Sequence, residues 1–120
     1  MNKVTKQFID SLIDCESNIE NDEWYFCKSR ESIINSLSPN EAFDSIMEIM
    51  NLAIIKEYHD FLDLILQFAL ELSRKSETTE LPQGLECILN EIYLIVPNID
   101  KEYHINKINE ICNYYRINNI

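Results

Sequence analysis

Glycine is almost missing from this chain: Gly84 is the only one in 120 residues, and three prolines are the only other strong breakers. Phosphate-cradling loops and nucleophile elbows need glycine where the backbone turns sharply or approaches a ligand, so G-x-G-x-x-G, P-loop and G-x-S-x-G chemistry is excluded. Positive charge is scarce as well. Ten Lys and Arg stand against 21 Asp and Glu, a formal net charge of -11. A field of that sign repels phosphate backbones and attracts basic surfaces, so no direct nucleic-acid binding is expected. No uncharged apolar stretch approaches bilayer-spanning length, and the polar opening from Met1 to Gln7 does not read as a secretory signal. No membrane partner is therefore expected. The four cysteines, Cys15, Cys27, Cys87 and Cys112, show neither C-x-x-C nor zinc spacing. They read as free thiols in a reducing cytoplasm, serving as small buried apolar residues.

What the chain does have is isoleucine, 19 of them, spaced at the helical period. The first predicted helix covers about Lys3 to Glu16, with Val4, Phe8, Leu12 and Cys15, joined by Ile9 and Ile13, as its apolar stripe. A second follows from Trp24 to Leu37. The third has the clearest start, because Ser38-Pro39-Asn40-Glu41 combines a capping box with proline at the first helical position; it should run through Met50. The fourth, about Ile55 to Arg74, confines its polar residues to one narrow line: Lys56, Asp60, Asp63, Gln67, Glu71 and Arg74. So wide an apolar surface requires neighbours on at least two sides, which makes this helix central. The polar loop from Lys75 to Glu80 is the expected mobile segment. A fifth helix begins near Pro82, with Gly84 in its first turn, and ends by Val96; a sixth follows an Asn98 or Asp100 cap.

The sequence also echoes itself. Lys56-Glu57-Tyr58-His59 returns as Lys101-Glu102-Tyr103-His104, 45 positions on, and Ser38-Pro39 is echoed by Leu81-Pro82. Behind each proline, Ala42, Ile46, Glu48 and Ile49 stay in step with Leu85, Leu89, Glu91 and Ile92. Behind each KEYH, with one residue of slippage, Leu62, Ile65, Leu66 and Ala69 match Ile108, Ile111, Cys112 and Tyr115. A period of roughly 40 to 47 residues carrying two helices per unit belongs to HEAT and armadillo-like stacks. The expected fold is thus all-α: about six helices as three antiparallel αα-hairpins in one helical-repeat domain over residues 1–120. Such stacks mostly bind other macromolecules.

No catalytic set emerges, and the chain is not expected to be an enzyme or to need a cofactor. Each histidine is preceded three positions earlier by lysine, so the E-x-x-H pair of di-metal bundles is absent. His59 with Asp63 forms an i, i+4 pair, which reads as a helix-surface hydrogen bond rather than a metal site. Binding residues are better candidates. Six acids with no intervening base lie between Lys6 and Lys28, among them Asp10, Asp14, Glu20, Asp22 and Glu23. Trp24 and Tyr25 follow directly; such rings anchor interfaces, while carboxylates select Lys or Arg. Tyr58, Asp60 and Asp63 form a second group, paired by the repeat with Tyr103 and its surroundings. The competing assignments are a solubilising acidic surface, a Trp24 that closes the end of the core, and tyrosines that pack.

In size, acidity and all-helical architecture the chain resembles the immunity proteins of bacterial toxin systems, including those of contact-dependent growth inhibition. The resemblance implies a partner: the C-terminal domain of a secreted toxin, expected to be a nuclease because a nuclease must be basic to hold its substrate backbone. It implies inhibition by acidic and aromatic side chains laid over the toxin's substrate-binding surface, in the cytoplasm. A helical adaptor or regulatory subunit holding another protein or peptide is the alternative. Oligomeric state stays open, since the end helices of a short stack are capped either by polar residues or by another copy.

Overall fold

The computed structural model describes residues 3–17, 30–96 and 101–117, and all their regular structure is helical. Helix α1 spans Lys3–Ser17. Its Val4, Phe8 and Leu12, at i, i+4 and i+8, are buried, and Phe8 stacks on Phe68 with ring centroids 4.3 Å apart. The side chains of Ile13, Asp14 and Cys15 lie outside the described set. A helical segment at residues 30–35 (α2) represents the second predicted helix, whose earlier residues also lie outside it. Ile33 and Leu37 face the core.

Helix α3, Pro39–Leu52, starts as its sequence demands. Glu41 N donates to Ser38 Oγ at 3.2 Å and Ser38 N donates to Glu41 Oε1 at 3.0 Å, so two orphan donors are satisfied reciprocally. It runs two residues past the expected Met50, to Leu52. The predicted fourth helix is divided. Lys56–Phe61 forms a 3-10 helix, and α4 proper is Leu62–Lys75. No Ser, Thr, Asp or Asn stands at the start; Ile55 is extended and offers no side-chain cap. The chain there satisfies its first donors by the tighter i to i−3 pattern, as in Tyr58 N to Ile55 O at 2.9 Å.

Helix α5 is Leu85–Ile95 and α6 is Lys101–Tyr114. The start of α5 corrects an expectation: Gly84 is the N-cap at φ 89° rather than part of the first turn, and Pro82 precedes the helix. The segment from Lys75 to Glu80 carries hydrogen bonds to its neighbours. Lys75 closes α4, Ser76 is buried with its hydroxyl on Ser73 O at 2.6 Å, and Tyr114 OH reaches both Ser73 O and Thr78 O, at 2.7 and 3.0 Å. The loop is therefore tied to α6.

Helix α4 is the centre of the molecule. It packs on α3 and α6, receives Phe8 of α1 and is tied to α2 through Arg30 and Glu71, while α3 touches α1 and α5, and α5 touches α6. Thus α1 and α5 both lie against α3, and α2 and α6 are both joined to α4. Gln67 with Lys107, and Ser73 with Tyr114 and Tyr115, show that α4 and α6 run in the same direction. Every apolar pair in the repeat is buried: Ala42 and Leu85, Ile46 and Leu89, Ile49 and Ile92, Leu62 and Ile108, Ile65 and Ile111, Leu66 and Cys112, Ala69 and Tyr115. The repeat is thus a repeat of core positions.

Candidate functional site

The narrow polar line of α4 becomes a seam between its two neighbours. Gln67 and Glu71 sit on that line, and each reaches a different helix. Arg30 Nε of α2 donates to both oxygens of Glu71, at 2.9 and 2.8 Å. Gln67 Nε2 donates to Glu71 Oε1 at 3.1 Å, and Lys107 Nζ of α6 donates to Gln67 Oε1. Lys107 continues to Glu110 Oε2 at 3.2 Å and stands 5.8 Å from the centroid of the Tyr103 ring. One ladder of charge-assisted and amide hydrogen bonds thereby crosses α2, α4 and α6. The Arg30 and Glu71 side chains are only 14% and 23% exposed, so solvent screens this ion pair less than a surface one.

Outside the ladder the seam is polarised. Asp60 is exposed and Asp63 half-buried towards its start, whereas Arg74 and Lys75 occupy its end, with a cleft of about 400 Å³ between α2 and the last turns of α4. Cations belong at a helix C-terminus, where they complement its carbonyls.

The two Tyr-His pairs of the repeat do not share an environment. Tyr58 is half-buried against the core, while Tyr103 is 48% exposed. His104 is buried, edge-on to Tyr103 at 5.9 Å, and its Nδ1 has no hydrogen-bond partner among the described residues. His59 Nε2 is likewise buried and without a partner among the described residues, so the expected surface bond to Asp63 is not made through that atom.

Of the other sequence candidates, Asp10 is exposed on α1. The Asp14 side chain and all of Glu20, Asp22, Glu23, Trp24 and Tyr25 lie outside the described residues. Sequence reasoning missed Arg30 and Lys107, although a signal was present: they lie 41 and 40 residues from their α4 partners, one repeat period away, which is where same-layer neighbours in a stack fall. It also missed Leu94, 81% exposed at the end of α5, and Ile95 beside it, 39% exposed.

No family model, curated protein or solved structure matches the chain. Function must be argued from the surface itself.

Among the described residues only two ion pairs form, Arg30 with Glu71 and Lys107 with Glu110. Asp10, Asp44, Glu57, Asp60, Glu86 and Glu91 are all exposed and join neither pair. The Cys112 thiol is buried in the core, and desolvation, followed by the charge of Glu86, pushes its pKa up. Cys87 is exposed, against the expectation that all four cysteines are core residues. Among the described residues no three potential metal-ligating side chains gather, and no helix is long and apolar enough to cross a membrane.

Proposed function

We propose that the chain is a protein-binding inhibitor, an immunity protein that neutralises a cognate bacterial toxin of the contact-dependent growth inhibition type. The observation that carries this reading is the excess of exposed carboxylates left unneutralised within the fold. A net charge of -11, with two ion pairs among the described residues, leaves the field of the exposed carboxylates free to act outward on a basic partner. The partner of that description is a toxin domain with nuclease activity. Carboxylates stand in for substrate phosphates and cover its substrate-binding surface, and an exposed ring such as Tyr103, with the Trp24 and Tyr25 pair, supplies the contacts that slow dissociation. Steering of this kind raises association to roughly 10⁸ M⁻¹s⁻¹ or more at low salt. Inhibition takes place in the cytoplasm, where the toxin would otherwise act.

The test is a growth assay. Cells express the C-terminal domain of a secreted protein encoded beside this gene, with and without this chain, and lysates are then checked for a co-eluting complex. Restored growth and a stable complex support the reading; a toxic neighbour left unaffected transfers it to the adaptor class. Charge reversal by Asp60→Lys with Asp63→Lys should slow association several-fold and flatten its salt dependence. An association rate equal to the parent's at low salt removes those carboxylates from the steering surface.

A further inference from the structure

The cleft at the basic end of the α4 seam runs against the character of the rest of the molecule. Arg30, Arg74 and Lys75 line it together with Glu31, Ile34, Asn35 and Glu71. Three of the ten basic residues of a chain with 21 acids therefore meet in one depression. Their charges are not equivalent. The carboxylate of Glu71 is taken up by Arg30 Nε and Gln67 Nε2, which holds the Arg30 side chain along the cleft wall. Arg74 and Lys75 form no ion pair among the described residues, and among the lining residues Glu31 is the one acid besides Glu71. The cleft is thus locally cationic. Its volume is about 400 Å³, and it is a shallow depression open to solvent, as a site for an extended segment lying on the surface would be. Ile34 offers an apolar contact and the Asn35 amide a donor and an acceptor of the kind that pair with peptide backbone.

We propose that this cleft between α2 and α4 binds an acidic peptide segment of a partner protein, with Arg74 and Lys75 receiving its carboxylates and Ile34 a neighbouring aliphatic side chain. This goes beyond the inhibitory reading and holds whether or not the partner is a toxin. Charge supplies the reason for its selectivity. The acidic excess of the chain as a whole disfavours carboxylates over most of the surface, whereas three basic side chains line this one depression and favour an acidic segment there.

The experiment uses the ¹⁵N-labelled full chain and the synthetic peptide acetyl-Glu-Glu-Ile-Glu-Glu-amide at low salt. The expected result is a saturable set of amide shift changes confined to residues 30–37 and 70–77, weakened at least tenfold by 0.3 M NaCl. Arg74→Gln with Lys75→Gln should abolish them while the circular dichroism spectrum is kept. Arg74→Glu with Lys75→Glu serves as the second pair and should instead let a lysine version of the peptide bind. Absence of shifts at millimolar peptide, or shifts that persist in the Gln pair, overturns the proposal. Citrate binding at the same residues as tightly as the peptide overturns the peptide assignment.

Discussion

Replacing Ser73 by alanine should destabilise the protein more than the loss of one hydroxyl implies, and replacing Tyr115 by phenylalanine as well should add little further loss. Tyr115 is 6% exposed, and its OH donates to Ser73 Oγ at 2.6 Å; that oxygen in turn donates to Ala69 O at 2.9 Å. In Ser73→Ala the phenol is left buried without its acceptor, a cost of about 1–3 kcal/mol, offset by about 0.5 kcal/mol from the better helix propensity of alanine. In Tyr115→Phe the Ser73 hydroxyl keeps its bond to Ala69 and loses only an incoming donor, about 0.5–1.5 kcal/mol. The double variant leaves no orphan, so the two losses should fail to add by about 1 kcal/mol or more. Urea unfolding followed at 222 nm measures the cycle. Additivity within about 0.3 kcal/mol would refute the claim that this bond couples α4 to α6.

The same phenol gives a second readout. Burial, partly offset by its bond to Ser73 and reinforced by Tyr114, pushes its pKa up to about 12 from 10.0. A neutral acid with a raised folded pKa contributes stability that is whole below pH 10 and is lost between about 10 and 12. After allowance for partial solvent screening this amounts to about 1–2 kcal/mol, and Tyr115→Phe should lose less stability than the parent across that window.

Three further outcomes follow from the local geometry. Gly84→Ala should cost about 1–2 kcal/mol in unfolding free energy, because φ is 89° and the added Cβ would meet Met47 Cε at an ordinary 3.5 Å, so the strain is in the backbone alone. Ser38→Ala should cost about 1 kcal/mol of thermal stability. Its bonds to Glu41 hold that carboxyl below its usual 4.5, so the part of the cap that depends on ionised Glu41 is present above that pH and fades as the pH falls through the lowered value. Maleimide should label Cys87 within minutes in the native protein and Cys112 only on unfolding, as mass spectrometry of the peptides would show; equal rates would contradict the burial of Cys112.

Periodicity made most of the helical architecture readable in advance. The stripe of Val4, Phe8 and Leu12, the Ser38 cap and the single polar line of α4 each carry their own explanation, because a helix must bury its apolar face and satisfy its first donors whatever surrounds it. The repeat-matched apolar positions were legible for the same reason. Boundaries were less so where no cap is written, at Ile55 and at Gly84. The acidic candidates could be chosen by charge alone, but a list of acids does not say which of them a neighbouring helix has already used.

An all-helical, acidic chain with a repeating core and a single helix polar along only one line follows from residue types and their spacing. What identical segments become depends on how they pack. The same four residues form a 3-10 turn at Lys56 and the first turn of an α-helix at Lys101, with one tyrosine packed and the other exposed. Helix propensity is worth tenths of a kilocalorie per residue, whereas burial of a tyrosine or an isoleucine is worth kilocalories. Position in the stack therefore outweighs local identity. It also brings Arg30, Gln67, Glu71 and Lys107, spread over nearly 80 residues of chain, into one ladder, since only packing places residues a repeat apart within reach of each other.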